Sequence, residues 1–322
     1  MASWSQLLWL AALAGGAWAA TRGRPQPFDV EAHLDGGTLR PVSEGRLYHR
    51  AVGAGPDLVM LPGFGGNVST WEFITPPLAE THRVHWVDLL GHGLSDKPAA
   101  ANYGAPAQAE RLGQLLRAEG LERVVIVGSS AAGQPAVALA ARHPDRVAGL
   151  VLVDPFLVAG PGVRLGIWLT RQLPGTSGIV LRTLSSQRWY VRLSNMIGRR
   201  HPLTVDRATV DRQYLPYGAP GFLDALPALL AGVDPAPAQA SIGQVRCPVL
   251  LIWGAADRLA GRGQALALAA SFQDAEPVIL EDAGHVPQEE VPEQVVACMR
   301  PFLERVHRQS LSQNGRGVAP PG

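Results

Sequence analysis

The chain has 322 residues, of which 47% are hydrophobic, and its 28 Lys and Arg against 27 Asp and Glu give a formal net charge of +1. This length suits one large α/β domain with an insertion. The balanced charge offers no basic surface, so we exclude nucleic acid as a partner and do not expect a polyanionic substrate. Two cysteines, Cys247 and Cys298, are too few for a disulfide framework and lack a metal-binding spacing, so we expect both to be small buried side chains.

The first 26 residues are set apart from the fold. Residues 7–20 form an uncharged apolar run, shorter than the roughly 20 residues that span a bilayer, and Ala17-Trp18-Ala19 fits a cleavage site. Arg22 and Arg24 follow the run and no Lys or Arg precedes it, which favours an uncleaved anchor. We predict a signal peptide or membrane anchor over residues 1–26, with an ordinary apolar helix as the alternative. The protein would then be exported (periplasmic or secreted) or membrane-anchored rather than cytoplasmic.

Between the ends of the chain, strand patterns alternate with helix patterns. Short, nearly continuous apolar runs indicate strands that are buried on both faces, as in a parallel sheet. Ser69 and Glu72 form a capping box at the start of the first helix. The alternation predicts a doubly wound, mostly parallel α/β sheet. We expect strands at residues 56–63, 83–91, 122–129, 146–155, 247–254 and 275–282, and helices at residues 69–78, 105–118, 131–142, 262–271 and 292–307.

One long segment interrupts this alternation. Residues 156–245 contain amphipathic stretches but no strand pattern, so we predict a helical cap inserted over the sheet. The core domain would then comprise residues 27–155 and 246–307. Residues 308–322 have no apolar periodicity and are predicted to be a disordered tail.

One predicted strand ends in the sequence GSSAA. A tight turn between a strand and a helix places its central residue at the carboxyl edge of the sheet, where α/β folds bind ligands. Gly128 and Ala132 are small and bracket Ser130, which is the nucleophile-elbow pattern. If Ser129 were central, the β-branched Val127 would occupy a flanking position that it suits poorly. Ser130 is therefore the candidate nucleophile, and a serine turn that only caps a helix is the structural alternative.

A serine hydroxyl needs a base to take its proton and an acid to orient that base. His285 follows the last predicted strand and Asp257 follows the strand before it, so Ser130, Asp257 and His285 occur in the order of a known hydrolytic triad. Asp154, at the end of the strand before the cap, is the alternative acid. We favour Asp257, because its position is the commoner one and because Asp154 precedes Pro155 in a frequent structural turn.

A tetrahedral intermediate also needs hydrogen-bond donors for its oxyanion. The sequence LPGFGG follows a predicted strand and leaves the amide of Phe64 between two glycines, and Ala131 supplies the amide after the nucleophile. We predict that these two amides form the oxyanion hole, with an ordinary glycine turn as the alternative. We do not expect a phosphate-binding loop, because no Lys-Ser or Lys-Thr follows.

The motifs LPGFGG, DLLGHGLSDKP, GSSAA, GAADRL and GHVPQEEVPE occur in this order over about residues 46–306. With them the chain resembles the α/β-hydrolase superfamily, and within it the capped esterases, lipases and carbon–carbon hydrolases. The resemblance implies an α/β-hydrolase fold with a helical cap, and it makes His92 a packing residue in a structural loop. The chain departs from the family at Pro62-Gly63, where His-Gly is usual, and at Ala132, where glycine is usual.

Ser130 at the elbow disfavours the dehalogenases and epoxide hydrolases of this superfamily, which use aspartate there. We predict a serine hydrolase that cleaves carboxylic esters of small or medium apolar acyl groups through an acyl-enzyme. His285 would act as general base and then acid while Asp257 orients it. No metal or organic cofactor is expected, and the partner would be a small-molecule ester. A carbon–carbon bond hydrolase and a slow-turnover small-molecule receptor of the same fold remain alternatives.

Cap side chains give a weak indication of the substrate. Aromatic and methionine residues in the cap could line an acyl pocket, although packing within the cap is the more frequent role for Trp168, Trp189, Tyr190 and Met196. Three arginines could bind a substrate carboxylate, although we expect a solvated surface position for Arg182, Arg199 and Arg200.

Overall fold

A computed structural model describes residues 28–159, 168, 172, 187–259 and 261–314 of the chain. The signal peptide or anchor predicted at residues 1–26 lies outside these residues, as do residues 315–322 of the predicted tail. None of the helices in the described part of the chain combines the length and apolar character needed to cross a membrane.

The strands form one eight-stranded sheet. Their bounds are β1 Thr38–Val42, β2 Gly45–Val52, β3 Asp57–Leu61, β4 Arg83–Asp88, β5 Val124–Ser129, β6 Val147–Val153, β7 Val249–Gly254 and β8 Ala275–Leu280. The spatial order is β1-β2-β4-β3-β5-β6-β7-β8. β2 pairs antiparallel with both β1 and β4, and all pairs from β4 to β8 in this order are parallel. All six strands predicted from the sequence are confirmed, as β3 to β8.

Helices connect the parallel strands and cover the sheet. The α-helices of the described residues are α1 Thr75–Ala79, α2 Ala105–Ala118, α3 Gly133–Arg142, α4 Arg188–Gly198, α5 Arg207–Tyr214, α6 Phe222–Gly232, α7 Ala236–Gln239, α8 Arg262–Ala269, α9 Pro287–Glu290 and α10 Pro292–Asn314. Four of them, α4 to α7, lie within the predicted cap, and no strand occurs among the cap residues that the structure describes.

Apolar side chains pack on both faces of the sheet. Neighbouring residues of β5 point to opposite sides, so Ile126 joins the cluster on one face and Val127 joins the cluster on the other. Leu112 of α2 and Leu139 of α3 belong to the first cluster, and Phe302 of α10 belongs to the second. The central strands are therefore buried on both sides, which confirms the doubly wound, mostly parallel arrangement.

The antiparallel hairpin of β1 and β2 was not predicted. Both strands contain exposed positions, and β1 has no fully buried residue, so neither shows the continuous apolar run of the inner strands. Leu47, Tyr48 and His49 are the buried part of β2. The two strands are joined by a tight turn at Glu44 and Gly45, where Glu44 has a φ of +66°. The Glu44-Gly45 pair in the sequence is the local signal that could have identified the hairpin.

Two predictions at helix ends are wrong. Residues 69–78 are not one helix, because a 3₁₀ turn over Val68–Trp71 precedes α1. Ser69 is not its N-cap: the side chain of Asn67 accepts the Ser69 N–H at 2.9 Å, so the expected capping box does not form. At the other end, α10 continues to Asn314, and residues 308–314 of the predicted disordered tail are helical.

The two cysteines are free thiols. Cys247 packs partly buried against one core cluster and Cys298 against the other, so neither is as fully enclosed as we expected. Burial raises the pKa of the Cys247 thiol to about 12, which keeps it in the unreactive thiol form.

A buried histidine pair links β2 to β4. His49 Nε2 lies 2.9 Å from His85 Nδ1, and His85 Nε2 lies 2.9 Å from Asp57 Oδ1. Burial, with repulsion from His85, lowers the pKa of His49 from 6.5 to about 4. The folded state therefore favours a neutral His49, and this contribution to stability is complete above pH 6.5 and is lost as the pH falls towards 4.

We predict that the His49→Gln protein loses less stability on acidification than the wild type. Between pH 6.5 and pH 4 the slope of unfolding free energy against pH should fall by up to about 1.4 kcal/mol per pH unit, the value for one proton. Urea unfolding at several pH values measures this slope. His33→Gln, at an exposed site, is the matched control and should keep the wild-type slope. Equal slopes in all three proteins would contradict the assignment to His49.

Candidate active site

The turn after β5 holds Ser130 in a strained backbone conformation. Its φ is +50°, in the left-handed region that few residues other than glycine adopt. The turn also requires small neighbours: a Cβ added to Gly128 would lie 3.0 Å from the Ala132 carbonyl oxygen. Ala132 itself is buried, which shows that alanine fits where the family usually has glycine. The strand, the small residues and the strain together form the predicted elbow centred on Ser130.

Three side chains from separate strand ends meet at this turn. The Ser130 Oγ lies 2.9 Å from His285 Nε2, and His285 Nδ1 lies 2.8 Å from Asp257 Oδ2. The structure thus brings together the nucleophile, base and acid proposed from the sequence. Both nitrogens of the imidazole are engaged by these contacts, so a hydrogen-bonded chain runs from carboxylate to hydroxyl.

Asp257 is held on both of its oxygens. Its Oδ1 accepts the Leu259 N–H at 2.7 Å, and its side chain is fully buried. Since Oδ2 faces His285, the carboxylate can fix the ring tautomer with the proton on Nδ1. This geometry favours Asp257 over Asp154 as the acid that contacts the base.

Asp154, the alternative acid, lies beside this chain without contacting Ser130. Its Oδ1 accepts the Gly254 N–H at 3.0 Å, and the residue is completely buried at the end of β6. Burial, followed by the charge of Asp257, raises the pKa of Asp154 well above its usual value. Burial thus favours the neutral form of the Asp154 carboxyl group, whereas a triad needs an ionised acid.

Ser129 is oriented differently from Ser130. It is 97% buried, and its Oγ accepts a long hydrogen bond of 3.4 Å from the Gln288 amide. Its contacts place it beside the turn, whereas the contact with the base belongs to Ser130.

The two predicted oxyanion donors flank the serine. Ala131 follows it directly in the 3₁₀ turn Ser130–Ala132. On the other side the loop after β3 passes so close that a Cβ added to Gly63 would lie 3.1 Å from the Ser130 Cβ. No backbone acceptor among the described residues takes the amide hydrogen of Phe64, the next residue. An oxygen bound at Ser130 could therefore be reached from both sides, as an oxyanion hole requires.

His92 is a packing residue, in agreement with the expectation from the sequence. It is buried, and a ring nitrogen lies 3.2 Å from the Leu90 carbonyl oxygen. Burial lowers the pKa of His92 to about 4, so the ring is neutral at pH 7. Its ring meets the Phe64 ring edge-on at 6.2 Å and supports the loop that carries the Phe64 amide.

A cavity of about 280 Å³ opens onto Ser130 and His285. Apolar side chains on its wall include Phe64, Val191, Tyr217 and Leu259. Sequence reasoning did not single out the polar lining of this cavity. Gln288 and Glu289 lie within the GHVPQEEVPE motif, whereas the other polar wall residues belong to no motif: Thr70, Ser194, Asn195 and Gln213.

The cap residues singled out from the sequence do not line this cavity. Trp189 and Tyr190 pack edge-on against each other with ring centroids 6.1 Å apart, and Trp168 is 54% exposed. Met196 is partly buried but is not part of the wall. The packing interpretation therefore fits better than the acyl-pocket interpretation. Arg182 lies outside the described residues.

Arg199 is not on the solvated surface, as we had expected. Its side chain is 6% exposed and forms an ion pair with Glu289, which is 5% exposed. The second Glu289 oxygen accepts hydrogen bonds from Thr70 at 2.5 Å and from Gln213 at 3.3 Å. The two cap residues, Arg199 and Gln213, are thus bound to one core carboxylate at the cavity wall. Arg200 is the solvated arginine.

The backbone of the base is also bound to the cap. The His285 N–H donates to the Gly198 carbonyl oxygen at 2.7 Å, where α4 ends. A Cβ added to Gly284 would lie 2.3 Å from that same oxygen, so only glycine allows the two segments to approach this closely. The position of His285 therefore depends on the end of a cap helix.

Comparison with known proteins agrees with the observed fold. A family model described as the alpha/beta hydrolase fold matches residues 56–292. The chain belongs to the α/β-hydrolase fold family. It is 33% identical to a pimeloyl-[acyl-carrier protein] methyl ester esterase of Chromobacterium violaceum over 245 residues, which cover 75% of this chain and 91% of the relative.

Two further similarities cover most of the chain. A 2-hydroxy-6-oxononadienedioate/2-hydroxy-6-oxononatrienedioate hydrolase of Paraburkholderia xenovorans is 28% identical, with 81% of this chain and 91% of the relative aligned. The solved structure of a thermophilic esterase from Thermogutta terrifontis superposes with a TM-score of 0.70 at 21% identity, covering 84% of this chain and 99% of that one. The structural likeness concerns the fold, whereas the sequence relatives show that this α/β-hydrolase belongs among hydrolytic enzymes.

We predict that Ser130→Ala abolishes labelling by a fluorophosphonate, because the probe reacts with the activated hydroxyl. Ser129→Ala should label normally, since Ser129 has no contact with His285, and it is the matched control. Intact-mass detection of the phosphonylated protein measures both. An adduct that persists on Ser130→Ala but is missing from Ser129→Ala would move the nucleophile by one residue.

We also predict that Glu289→Leu lowers the free energy of unfolding by about 3–5 kcal/mol, because it leaves the buried Arg199 charge unpaired. The double variant Arg199→Met/Glu289→Leu should recover most of this loss. Asp282→Ala is the control: Asp282 pairs with Arg200 at 3.9 Å with both side chains exposed, so its loss should cost at most about 1 kcal/mol. Denaturant unfolding measures all three, and a cost for Glu289→Leu as small as the control would contradict the prediction.

Proposed function

We propose that the protein is a carboxylic-ester hydrolase that works through an acyl-enzyme on Ser130. The observation that carries this proposal is the hydrogen-bonded chain from Asp257 through His285 to Ser130, which opens onto a cavity beside the Phe64 and Ala131 amides. This set contains the nucleophile, base, orienting acid and oxyanion donors that acyl transfer needs.

The reaction follows from these positions. His285 Nε2 takes the hydroxyl proton as Ser130 Oγ attacks the ester carbonyl carbon, and the carbonyl oxygen becomes an oxyanion bound by the amides of Phe64 and Ala131. Collapse of the intermediate breaks the bond to the alcohol oxygen, which leaves with the proton from His285. Water then attacks the acyl-enzyme by the same steps and releases the acid. Asp257 stays ionised and stabilises the imidazolium throughout.

The cavity supports an acyl group of small or medium size. Its volume of about 280 Å³ is just below the range of ligand pockets, which is roughly 300–1,000 Å³. Phe64, Val191 and Leu259 supply apolar contact, in line with the apolar acyl group expected from the sequence. The similarity to a methyl ester esterase supports ester cleavage with a small alcohol as leaving group.

Carbon–carbon bond hydrolysis is the second candidate. The polar wall residues Asn195, Gln213 and Gln288 could hold a substrate richer in oxygen than a simple acyl ester, and the Paraburkholderia relative is named for such a substrate. The same serine, base and oxyanion hole serve both reactions. We favour the ester because the relative with the higher identity is an esterase.

We predict fast turnover of p-nitrophenyl butyrate and slow turnover of a ring-cleavage diketone by the wild-type protein. Asp257→Asn should lower kcat for the ester by about 10⁴, because the tautomer of His285 is no longer fixed. Steady-state kinetics with both substrates measure this. Faster diketone turnover would favour the second candidate, and tight binding without turnover of either substrate would indicate a receptor.

A further inference from the structure

Asp154 has a buried carboxyl group that the proposed reaction does not use. It follows β6 directly, is inaccessible to solvent and has a φ of +42°. The Asp154 Oδ1 accepts the Gly254 N–H at 3.0 Å, but no donor among the described residues reaches Oδ2. An ionised carboxylate would leave that oxygen both charged and unpaired, which is the most costly state for a buried group.

The same carboxyl group is adjacent to the acid of the triad. One carboxyl oxygen of Asp154, one of Asp257 and one ring nitrogen of His285 all lie within 4.8 Å of one another. Two carboxylates at this separation in a dry site cannot both be ionised, so the pair holds one proton. Asp257 accepts hydrogen bonds on both oxygens, from Leu259 and from His285, so the charge belongs to Asp257.

We propose that Asp154 is a positioning residue that stays protonated and donates its Oδ2–H to the Asp257 carboxylate. The unpaired oxygen is then a donor and no longer an unsatisfied acceptor. The Asp154 acid then helps to hold Asp257, together with the Leu259 amide and the imidazole of His285.

The electrostatic surroundings agree with this assignment. Burial has the largest effect on the pKa of Asp154 and raises it, and the charges of Asp257 and Glu290 raise it further. The Gly254 N–H acts in the opposite direction but more weakly than Asp257. His285, the remaining titratable group nearby, is itself engaged with Asp257.

The proton on Asp154 affects how Asp257 supports the base. A hydrogen bond from Asp154 disperses part of the Asp257 charge and so limits how strongly that charge favours the protonated imidazole. Without this bond, His285 would keep its proton to higher pH and would act as a base only there. The acidic limb of the kcat/KM profile for ester hydrolysis therefore reports on Asp154.

Two substitutions test the hydrogen bond while allowing for the backbone. Asn tolerates the left-handed φ of residue 154 and its amide can donate to Asp257, so Asp154→Asn should keep kcat/KM and the acidic limb near wild type. Gly adopts this φ without strain but has no donor, so Asp154→Gly should move the limb upward by about one pH unit. A loss of about 10⁴ in Asp154→Asn, as expected for Asp257→Asn, would make Asp154 the ionised acid and overturn the inference. An unchanged limb in a folded Asp154→Gly protein would also overturn it.

A spectroscopic measurement tests the proton itself and does not need activity. The infrared difference spectrum of wild type minus Asp154→Asn at neutral pH should contain the carbonyl band of a protonated carboxylic acid. A carboxylate band in its place would overturn the inference, even if Asp154→Gly fails to fold. The test by pH profile depends on the ester hydrolysis proposed above. The test by infrared band does not depend on it. An enzyme without ester turnover that shows the band would contradict the proposed function and leave the shared proton in place.

Discussion

The left-handed backbone of Ser130 is the constraint on which the site depends. A non-glycine residue in this conformation costs of order 1–3 kcal/mol and persists only where its surroundings leave no alternative. Here β5 is fixed between β3 and β6, and the turn is packed so closely that Gly63, Gly128 and Ala132 must all be small. Any larger side chain at these places would push the turn away. The central strands of the sheet therefore maintain the strained turn. In this conformation the Ser130 hydroxyl faces the cavity.

The order of strands in the sheet explains why the acidic groups are so close together. Asp154, Asp257 and His285 follow β6, β7 and β8, which are neighbours in the sheet and run parallel. The carboxyl ends of these strands lie at one edge of the sheet. Two carboxyl groups and an imidazole are therefore placed within a few ångströms of one another. Burial strengthens the hydrogen bonds among these groups. It also makes the ionisation of a second carboxyl group very unfavourable. A site with a single ionised acid follows from this placement.

Sequence patterns predicted the parts of the protein that depend on local chemistry. Apolar runs in the sequence indicate the buried strands, and the small residues around Ser130 indicate the elbow. The hairpin of β1 and β2 was not predicted, because its half-exposed strands lack continuous apolar runs. The buried pair of Arg199 and Glu289 could not be found for a different reason: the two residues are distant in sequence, and nothing near Arg199 indicates that a core carboxylate will cover it. Burial of a charge depends on tertiary contacts, which a linear pattern does not contain.

The contacts between cap and core give the cap a part in positioning the base as well as in shaping the cavity. The His285 N–H is bound by the carbonyl of Gly198, and Glu290 accepts both the Gly284 N–H at 3.0 Å and the Arg200 N–H at 2.7 Å. The loop that carries His285 is thus joined directly to Gly198 at the end of α4, and through the Glu290 carboxylate to Arg200 just beyond it. These hydrogen bonds tie the backbone of His285, whose ring lies against Ser130, to the end of α4. The end of α4 therefore has two roles, because Gly198 lines the cavity and its carbonyl oxygen binds the backbone of His285.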